Sequence, residues 1–175
     1  FRKRPTNSAA MCWLCVAEPP LPNQITLCPV LMVCTISLPA SAMRAIRNTI
    51  GEQEGRHGGE LRFAVEASLP LHRLWQGQSA RSRAVELFAQ LRIWDTEHNN
   101  GVLIYLLLAD KRVEIIADRG INGKVGGADW ETICREMQRA FADGRFEKGV
   151  NSGIVAISDL LAMHYPPADG HSNEL

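Results

Sequence analysis

Oxygen-bearing side chains crowd the segment Asp95-Thr96-Glu97-His98-Asn99-Asn100-Gly101, where Asp95, Glu97 and Asn99 alternate. Hard oxygen donors in a loop suit Ca²⁺ or Mg²⁺. The run is not an EF-hand, because its sixth position is Asn100 rather than Gly and its twelfth is Leu106. A second polar stretch, Asp118-Arg119-Gly120-Ile121-Asn122-Gly123-Lys124-Val125-Gly126-Gly127, adds Asp118, Arg119, Asn122 and a following Asp129. Glycine-rich backbone beside a helix start and an arginine suits a phosphate equally well. The plainest alternative is two polar loops that cap sheet and helix ends.

Other chemistries lack their residues. No Gly-Lys-Ser/Thr follows a glycine loop, and Gly120-x2-Gly123-x2-Gly126 is not the dinucleotide spacing. No Gly-x-Ser-x-Gly elbow occurs. Cys134 falls on or beside an apolar helical stripe and reads as core. Of His57, His72, His98, His164 and His171, only His98 stands in a candidate site. No organic cofactor is expected.

Periodicity supplies the elements that hold those loops. Ser41 is expected to cap a helix with Met43, Ile46 and Ile50 inward, ending at His57-Gly58-Gly59. Leu61, Phe63 and Val65 alternate with Arg62, Ala64 and Glu66, as in a half-buried strand. Gln78-Ser79 opens a second helix, with Ala84, Leu87, Phe88, Leu91 and Trp94 buried and Arg81, Arg83, Glu86 and Arg92 facing water. Trp75 lies in the connection before it, either covering the core edge or facing a partner. Val102 to Leu108 is uninterrupted apolar, a strand buried on both faces, and Val113 to Ala117 returns as a hairpin. Asp129 is expected to cap a third helix with Trp130, Ile133, Met137 and Ala140 inward. A fourth carries Val150, Ile154, Ile157 and Leu161 and stops before Pro166. Gly149 and Gly153 on it point to close internal packing.

The order α-β-α-β-β-α-α predicts a three-layer α/β/α sandwich around a small mixed sheet, a βαβ unit plus an antiparallel hairpin strand. That topology places both polar loops, the Arg56–Gly59 exit and the helix start at Asp129 at one edge of the sheet. Asp95, Glu97, Asn99 and Asp118 are then the candidate cation ligands. Asn100, Gly101, Arg119, Gly120, Asn122 and Asp129 are the surrounding binding positions.

Composition divides the chain of 175 residues. Residues 1–37 form an irregular Cys/Pro-rich leader holding Cys12, Cys15, Cys28 and Cys34, with three basic residues against Glu18. Residues 38–166 form the regular domain, and 167–175 a flexible tail. The leader's apolar run, Ile25 to Leu38, is short for a transmembrane helix and carries Pro29. A secretory signal cut after Ala42 would remove the start of the first helix. An apolar strip lying on the domain is the favoured reading. The four cysteines leave open free thiols or a four-thiolate zinc site. The chain has 19 Lys+Arg and 19 Asp+Glu, so no basic excess recommends nucleic acid as a partner.

The passage Gly101 to Ile121, the Asn99-Asn100-Gly101 before it, Gly120-Ile121 after the hairpin and Phe141-x2-Gly144-x-Phe146-x2-Gly149 together resemble the TPM-domain family. That family includes YgcG-like bacterial proteins and thylakoid-lumen repair factors of plants. The resemblance implies a three-layer α/β/α fold over residues 38–166. It also implies loop positions Asp95, Asn100, Gly101, Asp118 and Gly120 as family matches. Its members are linked to divalent-cation binding, acid-phosphatase activity and accessory roles on membrane protein complexes. The expected function is therefore an accessory module with a protein partner at or near a membrane, binding Ca²⁺ or Mg²⁺ at its loop edge. The alternative is a metal-assisted phosphomonoesterase in which Asp95, Glu97 and Asp118 hold the cation and Arg119 binds phosphate. A cytoplasmic or membrane-peripheral location is expected, with envelope export as the alternative.

Overall fold

A computed structural model describes residues 26–27 and 39–167. The elements run β1 (Thr26–Leu27), α1 (Ala40–Glu54), β2 (Leu61–Glu66), α2 (Leu71–Trp75), α3 (Ala80–Gln90), β3 (Val102–Leu107), β4 (Arg112–Ala117), α4 (Arg119–Asn122), α5 (Gly127–Ala142) and α6 (Phe146–His164). The sheet order is β1-β2-β3-β4, with β1–β2 and β2–β3 parallel and β3–β4 antiparallel. The zinc, signal and transmembrane readings of the leader and the tail from 168 lie outside the described residues. Within the leader, Thr26 and Leu27 pair with Ala64 and Val65, adding an edge strand to the expected sheet. Among the described residues, no helix is long and apolar enough to cross a membrane.

The architecture is the expected α/β/α sandwich, and the two-residue period of the strands builds it. Phe63, Val65, Ile104, Leu106, Val113 and Ile115 face one layer, where α1, α5 and α6 bring Ile46, Met137 and Ile154. Ala64, Leu103, Tyr105, Leu107 and Ile116 face the other, where α3 brings Ala84 and Leu87. In α6, Val150, Ile154, Ile157 and Leu161 are all fully buried, as their spacing predicts. Gly149 and Gly153 let α5 come close: a Cβ on Gly149 would lie 2.8 Å from Phe141 Cε1, and one on Gly153 would overlap Met137 Sδ.

Several expectations give way. β2 is not half-buried, because Ala64 and Glu66 are enclosed beneath α3. Arg83 does not face water but pairs with Glu66 in that layer. Trp94 is about half exposed and Ile93 is buried in its place. The cause is Arg92, whose φ of 54° ends the helical phase just after α3. α1 starts one residue before Ser41, after Pro39, with no side-chain cap. α5 starts at Gly127 with Gly126 as its cap residue, so Asp129 is in the first turn and not the cap. Its carboxylate there favours the helix dipole. Ser79 does cap α3, in a reciprocal box with Ser82.

Candidate functional site

The N-terminal ends of β2 and β3 and the exit of β4 share one end of the sheet, and backbone hydrogen bonds join the loops there. Gly101 O accepts from Asp118 N at 2.9 Å, which carries the β3–β4 pairing one step past the strands. Asn99 adopts φ 50°, a left-handed turn that asparagine tolerates. That turn aims its carbonyl at the start of α4, where it accepts from Gly120 N (2.9 Å) and Ile121 N (3.2 Å). Glycine is required at position 120, because a Cβ would overlap the carbonyl oxygens of His98 and Asn99. Gly101 is similarly pressed on Ile93 O.

The α1–β2 connection closes the site from the other side. Asn100 is buried, its amide Nδ2 donates to Gly58 O at 3.1 Å, and its backbone N–H donates to Thr96 Oγ1. Gly58 N donates to Tyr165 O beyond α6. His98 stacks on Tyr165 with ring centroids 6.2 Å apart, and Lys124 Nζ sits 3.9 Å over the same ring. Between these loops opens a cleft of about 690 Å³, lined by Glu54, Glu60, Glu97, His98, Arg62 and Tyr165 among others. Its carboxylates outnumber its one guanidinium, which pairs with Glu60 at 2.6 Å. Burial raises the Glu54 carboxyl pKa, an effect the Arg62 charge partly offsets. His57, behind the cleft, is 5 % exposed; its Nδ1 lies 3.0 Å from Gly59 O and its Nε2 has no partner. Burial lowers its pKa below 6.5, against the pull of the Gly59 carbonyl.

The predicted residues share this end but do not converge on one point. Asp95 is exposed and paired to Arg92 at 2.6 Å. Glu97 is exposed on the cleft wall. Asn99 Oδ1 accepts from Arg119 Nε at 3.2 Å, which ties both side chains to the loop contact. Asn122 lines a different groove, along β4, and Asp129 is exposed on α5. Among the described residues, no three His, Cys, Asp or Glu side chains are grouped to hold a metal. Asp118 stands apart. Its Oδ1 accepts from Arg119 N at 2.7 Å, while its Oδ2 is enclosed with no hydrogen-bond partner.

The topology brings the segments of His57 and Lys124 to this edge, but nothing in the spacing marks Tyr165 or Glu60 as their neighbours. The contact that brings in Tyr165, from Gly58 N, crosses most of the chain. The other end of the sheet holds a cluster that sequence reasoning also missed. Glu66 Oε1 accepts from Arg83 Nη2 (2.6 Å) and Nε (3.1 Å), and its Oε2 accepts from Tyr105 Oη (2.7 Å). Burial opposes the charge on Arg83, but Glu66 and Glu86 outweigh it and raise the Arg83 pKa. Burial and the Glu66 carboxylate raise that of Tyr105. Hydrogen bonding from Arg73 leads the effects that lower the Glu86 pKa to about 2.

Comparison with family models matches the TPM domain over residues 37–160. No curated protein matches. Among solved structures, the chain is similar to the BA42 protein of the psychrophilic bacterium Bizionia argentinensis, determined by NMR, at 30% identity and a TM-score of 0.68. That match covers 81% of this chain and 92% of BA42. It is also similar in fold to the N-terminal domain of a P. gingivalis protein, at 18% identity and a TM-score of 0.61, covering 77% of this chain and 83% of the other. A third likeness of fold is to the N-terminal domain of the Corynebacterium glutamicum cg2496 protein, at 11% identity and a TM-score of 0.50, covering 77% and 78%.

Proposed function

This chain belongs to the TPM-domain family, and on that premise we propose that it is a binding module whose loop edge takes a divalent cation, Ca²⁺ or Mg²⁺. The observation that carries the reading is Asp118. An enclosed carboxylate oxygen that takes no hydrogen bond from the chain keeps its lone pairs open to another partner. Hard oxygen ligands of this kind are what Ca²⁺ and Mg²⁺ accept. Asp118 would be the charged anchor. Backbone carbonyls, amide oxygens and water would complete the shell, since Asp95 is engaged by Arg92.

One charged ligand makes a weak site, and ligand charge sets affinity, so a Kd of about 10⁻⁴–10⁻³ M is expected. The acidic cleft beside it would receive a basic segment of a protein partner, which fits an accessory role on membrane-associated proteins. The phosphomonoesterase alternative needs Asp95, Glu97 and Asp118 on one cation. Asp95 and Arg119 are instead held by neighbours within the loop edge, so binding is the better reading.

Titration of the full chain with Ca²⁺ and with Mg²⁺, followed by thermal melting and residue-resolved NMR, tests this. At about 100 times Kd, linkage stabilises the fold by about 2.7 kcal/mol. Asp118→Asn should abolish that gain and Asp95→Ala should keep it. A wild-type chain with no shift in melting and no change at 99–101 or 118–122 would sink the cation reading. Turnover of a generic phosphate ester that disappears in Asp118→Asn would replace binding by hydrolysis.

A further inference from the structure

Helix α2 is inverted relative to an ordinary surface helix. Leu71, Leu74 and Trp75, at i, i+3 and i+4, share one face. They are 74%, 48% and 89% exposed. Arg73 is the one α2 residue that is not exposed, and it points inward. Its Nη1 donates to Glu86 Oε2 at 2.5 Å and to Gln78 Oε1 at 3.1 Å on the α3 side. Buried Leu69 fixes the chain before Pro70, and Gly77, at φ 72°, turns it away after the helix. The helix is therefore held with its apolar face outward. Elsewhere among the described residues, the exposed large apolar side chains Val85, Trp94, Val155 and Met163 are scattered.

The exposed charge at this end leans basic, with Arg81, Lys111 and Arg112 against Asp110. Residues 67–85 contain no Asp or Glu and carry Arg73, Arg81 and Arg83. Ala109 N donates to Ala67 O at 2.9 Å, which brings the hairpin turn with exposed Lys111 and Arg112 to the same end. The acidic side chains there are occupied. Glu66 is buried on Arg83, Glu86 accepts from Arg73 and Gln78, and Glu114 is 12% exposed beside Arg81 and Arg112. Asp110 alone projects freely against Arg81, Lys111 and Arg112.

We propose that α2 and the surrounding basic groups dock this protein on an anionic lipid surface, with Leu71, Leu74 and Trp75 entering the headgroup layer. An exposed apolar helix with basic side chains at the same end matches such a surface: tryptophan favours the interface, and basic side chains meet anionic headgroups. Neither signal alone anchors firmly, and here they coincide. The docking face and the loop-edge cleft lie at opposite ends of β2 and β3, so docking leaves the cleft facing away from the membrane.

The experiment is flotation of the full chain with phosphatidylcholine vesicles, with and without phosphatidylglycerol, in EDTA so that cation binding plays no part. Binding should require phosphatidylglycerol and fall as salt rises. Trp75→Ser should weaken it about tenfold or more by removing inserted apolar area. Lys111→Glu with Arg112→Glu should erase the preference for anionic vesicles. Unchanged melting of these surface variants would show that the fold is intact. The proposal is overturned by no flotation with either vesicle, by equal flotation with both, or by Trp75→Ser binding like wild type. It is also overturned if the chain self-associates without lipid and Trp75→Ser abolishes that association, because the face is then a protein interface.

Discussion

Replacing Arg83 by Met tests whether the Glu66–Arg83–Tyr105 cluster is a buried ion pair in energetic as well as geometric terms. Both charged side chains are 9% exposed. In the native fold Glu66 accepts three hydrogen-bond contacts from the Arg83 guanidinium and one from Tyr105 Oη. Arg83→Met keeps the apolar stem and removes those three, leaving a buried carboxylate with a single phenol donor. Losing one partner of a buried pair costs about 3–5 kcal/mol, chiefly through the uncompensated charge left behind. That is a large share of the roughly 5–15 kcal/mol by which domains are stable. For a chain of this size, it corresponds to a fall in Tm of about 6–20 °C. Urea unfolding followed by tryptophan emission should show a lower midpoint at unchanged slope. The double variant Glu66→Met, Arg83→Met should recover most of the loss, short of the one hydrogen bond Tyr105 forfeits. A cost for Arg83→Met below about 1 kcal/mol would refute the reasoning, because it is the size expected of a hydrated surface pair.

Gly120→Ala should destabilise by about 1–3 kcal/mol, because its Cβ meets backbone carbonyls that cannot rotate aside. NMR shifts should spread through 98–101 and 118–122, whereas Gly127→Ala, with no atom within 4 Å of the new Cβ, should be near neutral. His57 is held neutral by burial, with its pKa lowered from 6.5, so its stabilising contribution is full above pH 6.5 and is lost as pH falls below that value. Melting temperature measured across about pH 7 to 5 should decline less steeply in His57→Gln, and parallel curves would remove His57 as the cause.

The layers and the loop edge were legible because they follow from rules that act locally. Ile154, Ile157 and Leu161 repeat at helical spacing, and a hairpin after a βαβ unit forces Asp118 to return beside Gly101. Polarity alone could not reveal Arg83 and Glu66. Each reads as solvent-facing until the other is present, and they lie on different elements. Trp94 was misplaced for a different reason: nothing in its spacing announces that Arg92 leaves the helical region two residues earlier. Asp95 looked like a ligand by type, although Arg92 at i−3 was already the partner that spacing offered. Helix α2 is too short for periodicity to declare it, and its inward residue is the charged one.

The two ends of the sheet differ because β2 and β3 run parallel, so each end collects only one kind of connection. At the loop edge, Gly101 and Gly120 allow backbone to press on backbone, and Gly59 makes room for the Leu161 side chain. The result is an end rich in carbonyl oxygens, with Asp118 Oδ2 as a carboxylate oxygen lacking a donor. At the strand ends, Glu66, Arg83 and Glu86 neutralise one another, and Arg73 joins them. That leaves the outward charge to Arg81, Lys111, Arg112 and Asp110, and the apolar side chains of α2 stay exposed. Arg73 thus does two things at once: it lowers the Glu86 pKa and turns Leu71, Leu74 and Trp75 to the outside. Between the ends, Phe63, Ile104 and Tyr105 are sealed in the core and close-packed, so neither end gives way to the other. Cation binding and surface docking should therefore be independent. Asp118→Asn should leave vesicle flotation unchanged and Trp75→Ser should leave the cation titration unchanged, and coupling between them would mean that β2 and β3 transmit a movement this core does not allow.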